Sequence, residues 1–186
     1  MQMCDRCQNR EATIVLSDVK QEHLCNLCFN EIVSDEIGVK LEPMPEELEV
    51  TDHSGTRRIF KVRPQLYPNG IFLEAIEDIA YGYEFAVHGE LACNQTELVE
   101  RLVDKVKRGV STQFIKVGKF PNGQKYQSIM NDEVVGRIDY DEMSPSSPMV
   151  VIDGQPYTWE QFGEMVNSFE GFQVQMKFFD KTDDVE

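Results

Sequence analysis

The chemistry-bearing residues of this chain gather at one end. Four of its five cysteines, Cys4, Cys7, Cys25 and Cys28, form two Cys-x-x-Cys pairs with 17 residues between them. Such a set can clip a metal, shuttle electrons or form disulfides. A redox Cys-x-x-Cys opens a helix after a strand in a thioredoxin-like unit, and the few residues before Cys4 leave no room for that strand. Disulfides suit an oxidising compartment; no basic and apolar leader precedes Cys4, so a cytoplasmic setting with reduced thiols is expected. Zinc takes four ligands in a tetrahedron at about 2.3 Å to each thiolate sulfur, and a C-x2-C…C-x2-C spacing of this length is a zinc pattern. The sequence thus predicts one Zn2+ on Cys4, Cys7, Cys25 and Cys28. Four thiolates fill the shell and leave no position for a catalytic water, so the metal is expected to be structural. His23 lies inside the segment but outside a complete ligand set, and reads as a hairpin residue.

The two pairs must be brought side by side. "ATIVL" (Ala12–Leu16) reads as a strand, "SDVKQ" as a turn and "EHLC" as the return strand. Phe29, Ile32, Val33 and Ile37 then fall at helical spacing, with Gly38 as the stop. A unit of this size cannot bury enough apolar area to fold unaided, so metal binding would supply much of its folding free energy. The stretch "CDRCQNREATIVL…HLCNLCF" resembles the N-terminal zinc-ribbon segment of McsA-type proteins, the activators of bacterial protein-arginine kinases. There too a first cysteine pair is followed by an "EATI"-like strand and by "LCxxC" before a helix. The resemblance covers about residues 3–38. It implies a Cys4 module used as an adaptor or regulatory element, with zinc on Cys4, Cys7, Cys25 and Cys28. The family's later helical motif has no counterpart in this chain, so kinase activation is not implied.

The remainder offers weaker chemistry. No G-x-G-x-x-G, Walker A, H-E-x-x-H or G-x-S-x-G motif is present. His53 and His88 stand near turns and strand ends. Cys93 precedes a helix, where a thiol can be activated, but reads as a half-buried structural residue. Carboxylates in "NDE" (Asn131–Glu133) and "IDYDE" (Ile138–Glu142) could line an enzyme site or touch a cation. "RRIFKVR" (Arg57–Arg63) is the one basic stretch interleaved with apolar residues; it could track a phosphate backbone or pair with nearby acids.

The elements read as an α+β protein: a zinc ribbon plus short helix over residues 1–41, a linker at 42–47, an antiparallel-rich sheet body with two main helices at 48–180, and an acidic tail at 181–186 expected to fray. The body divides into two sub-units, 48–112 and 113–180. Asn94 with Glu97 marks one helix start, Lys105, Lys107 and Arg108 its last turn and Gly109 its end. Thr158 with Gln161 marks the other start, and Trp159, Phe162, Met165, Val166 and Phe169 are expected as its core face. "FQVQMKF" (Phe172–Phe178) alternates and reads as a half-buried strand.

At 186 residues, 41% hydrophobic and 27% charged, the composition is globular. No run of 18 apolar residues suggests a membrane span. The net charge is −15, and residues 121–186 hold 4 basic against 13 acidic residues. Such a chain is repelled by phosphate backbones. Solubility explains the acidity most simply, and a basic protein partner is the sharper reading. The leading expectation is a zinc-binding, non-enzymatic adaptor or regulatory protein. The alternatives are a nucleic-acid-binding ribbon protein using Arg57–Arg63 and an enzyme with a carboxylate-lined site.

Overall fold

The computed structural model describes residues 2–17, 21–141 and 143–185. Of the turn expected at residues 17–21, positions 18–20 lie outside the described residues, as does Glu142, while Ser17 and Gln21 belong to the flanking strands. The architecture is α+β, with every strand pair antiparallel.

Strands β1 (Ile14–Ser17) and β2 (Gln21–Leu24) pair as a hairpin, Ile14 opposite Leu24. Helix α1 (Asn26–Ile37) follows. Gly38 closes it in the left-handed conformation, donating its N–H to the Ser34 carbonyl, a conformation that costs glycine least. Phe29 and Val33 point into the protein.

Strands β3 (Glu47–Thr51), β4 (Arg57–Tyr67), β5 (Gly70–Glu77) and β6 (Glu84–Gly89) form a four-stranded meander in sequence order. Period-two alternation decides its faces. Phe60, Val62 and Leu66 of β4 and Ile71, Leu73 and Ala75 of β5 are buried. Helix α2 (Gln95–Ser111) packs on this sheet with Leu98, Leu102, Val106 and Val110. Its start is as expected: the Asn94 side chain accepts from the N–H groups of Thr96 and Glu97.

Its end is not. Gly109 lies inside the helix, which runs on to Ser111, so of the expected basic last turn only Arg108 sits there. The glycine answers to packing instead. A Cβ on Gly109 would stand 2.2 Å from Phe85 Cε1, so the bare backbone makes room for the ring of a β6 residue.

The N-terminal unit is not a bead on a string. Asn30 of α1 receives the Leu66 N–H at 2.9 Å and donates to the Pro64 carbonyl at 2.8 Å. Phe29 meets Tyr67 at 5.6 Å between ring centroids. The 42–47 stretch is fastened too. Gln95 of α2 accepts from Glu42 N–H at 2.9 Å and donates to the Lys40 carbonyl at 2.9 Å. One continuous core therefore runs from Cys4 to Val110.

A second, smaller core serves the last third of the chain, around Ile115, Val150, Ile152, Tyr157 and Met165. It is covered by a hairpin of β7 (Ile115–Lys119) and β8 (Lys125–Ile129), by a three-stranded sheet of β9 (Arg137–Asp139), β10 (Met149–Ile152) and β11 (Gln155–Thr158), and by helix α3 (Trp159–Val166). Asp153 and Gly154, with φ of 53° and 67°, make the two-residue β10–β11 turn. Asp153 also accepts the N–H groups of Phe114 and Ile115. Thr158 and Gln161 form the expected capping box of α3. The expected core face of α3 is only partly buried: Met165 is inside, whereas Trp159 is 42% exposed and Val166 also faces solvent. The helix is too short, at 8 residues, to turn a full apolar stripe onto so small a sheet.

Two expectations for the C-terminus are overturned. Among the described residues Phe172–Phe178 pairs with no strand, and all seven of its residues are exposed. The tail, expected to fray, is docked at Lys181, Asp183 and Asp184. Lys105 Nζ of α2 donates to the carbonyls of Lys181 at 2.9 Å and Asp183 at 2.6 Å, and Arg108 pairs with Asp184 at 2.8 Å. Lys181 pairs with Glu74 of β5.

Candidate metal centre

The hairpin and the start of α1 bring the two cysteine pairs together. Cys4 donates its N–H to Arg10 O at 2.8 Å and accepts from Gln8 N–H at 3.0 Å, closing the first knuckle. Gln8 takes a φ of 56° to complete it. The N–H groups of Asp5 and Thr13 reach the carbonyls of His23 and Leu24, tying the knuckle to β2. Asp5 also accepts the His23 N–H at 2.8 Å. Cys25 is the N-cap residue of α1 and Cys28 lies in its first turn. Arg6 bridges the two knuckles by donating to the Cys28 carbonyl at 3.3 Å.

The result is four Sγ atoms, all within 4.8 Å of one another. Cys4, Cys25 and Cys28 are buried and Cys7 is half-buried. Cys7 Sγ and Cys25 Sγ are 3.8 Å apart, close to the edge of a tetrahedron with arms of about 2.3 Å. This is far beyond the roughly 2.05 Å of a disulfide bond. The four expected ligands are therefore assembled in a geometry compatible with a metal ion. His23 stays in the hairpin opposite Val15 and outside the group.

The electrostatics of the four sulfurs are unequal. Burial pushes the Cys4 thiol up, but the backbone N–H groups of Cys25, Cys7 and Arg6 outweigh it and bring it down to about 6. The Asn9 N–H leads in lowering Cys7. Cys28 is pushed up to about 12, first by burial and then by the neighbouring thiols. The cage thus readily holds a first thiolate and resists the last one, as expected of a buried anionic cluster whose charge a cation must offset.

The other expected chemistry does not assemble in this way. In "RRIFKVR" the odd residues face solvent and the even ones face inward. Arg57 pairs with Glu49 and Lys61 with Asp78. Arg58 shares the inward parity of Phe60. It bridges two buried carboxylates, Asp52 at 2.8 Å and Glu77 at 3.0 Å, beneath the Tyr83 ring at 5.5 Å. Burial acts to raise the Asp52 carboxyl. The Ser54 hydroxyl, Arg58 and the N–H groups of Thr56 and Ser54 outweigh it and hold the group well below the usual carboxylate range. This trio was not singled out in the sequence; its signal was Arg58 standing in register with Phe60 and Val62.

Among the described residues, the only cluster with metal-ligand spacing is the cysteine set. Asp139 pairs with Arg137 at 2.8 Å, and Asp141 accepts the Met143 N–H at 2.8 Å. Cys93 is half-buried ahead of the Asn94 cap. Among the described residues no helix is long and apolar enough to cross a membrane.

Three family models match the chain in consecutive pieces, and each describes a domain of unknown function: DUF7685 over residues 3–40, DUF7686 over residues 42–111 and DUF7713 over residues 114–183. No curated protein and no solved structure matches it.

Proposed function

We propose that this chain is a non-enzymatic adaptor or regulatory protein acting through protein–protein contact, with its N-terminal unit clasped by one structural Zn2+ on Cys4, Cys7, Cys25 and Cys28. The carrying observation is the closed set of four Sγ atoms within 4.8 Å of one another. Four thiolates satisfy zinc completely, so the ion contributes folding free energy rather than an open coordination position. The likeness of residues 3–38 to the ribbon of McsA-type activators supports a regulatory use in a reducing compartment. The net charge of −15 favours a basic partner. Pairing of Arg57, Arg58 and Lys61 with acids supports this reading over phosphate tracking, since phosphate contact needs free cationic side chains.

The test is affinity capture with zinc-loaded chain, set beside the same chain after chelation and beside Cys4→Ser. A defined protein partner retained by the loaded chain, and weakened when the clasp is opened, is the expected result. A salt-dependent mobility shift of nucleic acid that requires Arg57, Arg58 and Arg63 would replace this reading with the nucleic-acid one.

A further inference from the structure

Between Asp104 and Asp132 the chain carries no acidic residue, although acids outnumber bases 33 to 18 overall. The β7–β8 hairpin lies inside this stretch and holds three exposed lysines, Lys116, Lys119 and Lys125. Among the described residues none of the three stands within ion-pair distance of a carboxylate, whereas Arg57, Arg58, Lys61, Arg108, Arg137 and Lys181 all do. The Phe120 N–H donates to Gln124 O and the Met130 N–H to Phe114 O, so the ladder bonds fall on the even residues of β7. Lys119 and Lys125, directly opposite each other, therefore form a non-hydrogen-bonded pair. Facing side chains come closest in such a pair, at about 4.5 Å between Cα atoms. Like charges so placed destabilise a hairpin unless an anion lies beside them.

The same register leaves an open edge. Val117 and Lys119 turn their N–H and carbonyl groups away from β8, and among the described residues no strand pairs with them there. β8 has α3 beside it, so the free side is that of β7. It begins at Val117, because the N–H groups of Phe114 and Ile115 serve Asp153 and the Ile115 carbonyl accepts from the Gln113 side chain. Apolar surface accompanies the lysines: Val117, Phe120 and Tyr126 are 58%, 48% and 38% exposed. The Tyr126 ring lies over Gly118, where a Cβ would stand 2.2 Å from Cζ, and meets the Phe120 ring at 4.5 Å between centroids.

We propose that the outer edge of β7 docks an extended acidic segment of a partner protein. The segment adds beside β7 through main-chain hydrogen bonds and sets carboxylates against Lys116 on one face and against Lys119 and Lys125 on the other. Sign and reach select this occupant. Another copy of β7 would bring lysines to lysines. The acidic end of this chain is already engaged by Lys105 and Arg108. A nucleic acid carries charge on every nucleotide and would run past the hairpin onto a chain of net charge −15. The Phe120 and Tyr126 rings also stand at 42° to each other, so they offer no parallel faces to successive bases. A short acidic segment ends where the lysines end. The proposal rests on the reading of the chain as a protein-contact adaptor, and adds to the acidic body, which suits a basic partner, a second surface of opposite sign.

The test uses the full metal-loaded chain and the fluorescence anisotropy of a labelled peptide that repeats Glu-Val-Thr-Glu, whose acids match the spacing of Lys116 and Lys119. Saturable binding that weakens as salt rises is expected. Lys119→Gln combined with Lys125→Gln is expected to weaken it about tenfold. Val117→Pro keeps every lysine and removes one outward N–H, a change that an edge strand tolerates. With its unfolding midpoint unchanged, this variant is also expected to bind about tenfold more weakly. No binding of the peptide, equal binding of a Lys-Val-Thr-Lys peptide, or indifference to either variant would overturn the proposal. Tighter binding of oligouridylate than of the acidic peptide would overturn it too, in favour of a nucleic-acid surface. Loss of peptide binding leaves clasp-dependent capture of a partner standing, and loss of that capture leaves peptide binding readable, so the two readings fail separately.

Discussion

Replacing Arg58 by methionine is the most informative single perturbation of the sheet. The guanidinium is 18% exposed and bonds two carboxylates that are themselves 0% and 8% exposed. Methionine keeps the length and apolar stem but removes both ion pairs. The losses are unequal. Asp52 retains the Ser54 N–H at 2.8 Å, the Ser54 hydroxyl at 2.7 Å and the Thr56 N–H at 3.0 Å. Glu77 retains only the Tyr83 N–H, at 3.2 Å. Removing one partner of a buried pair costs about 3–5 kcal/mol because a charge is stranded. Three surviving donors at Asp52 and water at the edge of Arg58 place the expectation near the lower end, at about 3 kcal/mol. With a urea slope of about 2 kcal/mol/M, the midpoint falls by roughly 1.5 M. Arg58→Lys should recover only part of the loss, since one ammonium cannot reproduce a fork that reaches two acids. Adding Glu77→Gln to Arg58→Met should recover some stability, because the neutral amide strands no charge. The assay is urea denaturation followed by far-ultraviolet circular dichroism at neutral pH. An Arg58→Met midpoint equal to or above that of the parent chain would refute the reasoning.

Three further outcomes follow from the same geometry. Gly109→Ala should destabilise by about 1–2 kcal/mol in denaturant titration, because the overpacking penalty against Phe85 exceeds the helix-propensity gain of about 1 kcal/mol; pairing it with Phe85→Leu should erase most of the loss, and stabilisation by the single change would show that the ring yields freely. Asp52 is held below its unfolded value by its partners. Its contribution is therefore fully present above a pH of about 4 and is lost as the pH falls through the lower folded value; acid titration of Asp52→Asn should show a correspondingly flatter loss. Metal removal should abolish amide-exchange protection at residues 4–17 and 21–24 and reduce it in α1, while residues 98–110 and 71–75 stay protected; full retention at the knuckles without metal would contradict the folding role given to the ion.

What could be read from the sequence was local, and what could not depended on distant partners. The helix caps at Asn94, Thr158 and Gly38 were legible because a cap is written within a few residues of the helix end. The clustering of the four cysteines was legible because Cys-x-x-Cys spacing is a property of one tight turn. The inward set of β4 followed from alternation alone. Gly109 was misread as a stop, because its reason is the ring of Phe85, 24 positions earlier. Phe172–Phe178 was misread as a half-buried strand, because alternation specifies two faces and no neighbour. The tail was expected to fray as acidic chain ends commonly do; its dock, the Lys105 ammonium on main-chain carbonyls with ion pairs to Arg108 and Glu74, depends on residues distant in the chain. Trp159 was placed in the core from its spacing, yet the small sheet under α3 leaves it uncovered.

The central claim is that Cys4, Cys7, Cys25 and Cys28 jointly hold one zinc ion in a closed shell. X-ray absorption at the zinc edge on the purified full chain tests it most directly. The account predicts one zinc per chain with four sulfur neighbours at about 2.3 Å and no nitrogen or oxygen ligand. Zinc with a mixed or open shell, or a metal-free protein whose four cysteines are joined as disulfides, would contradict it.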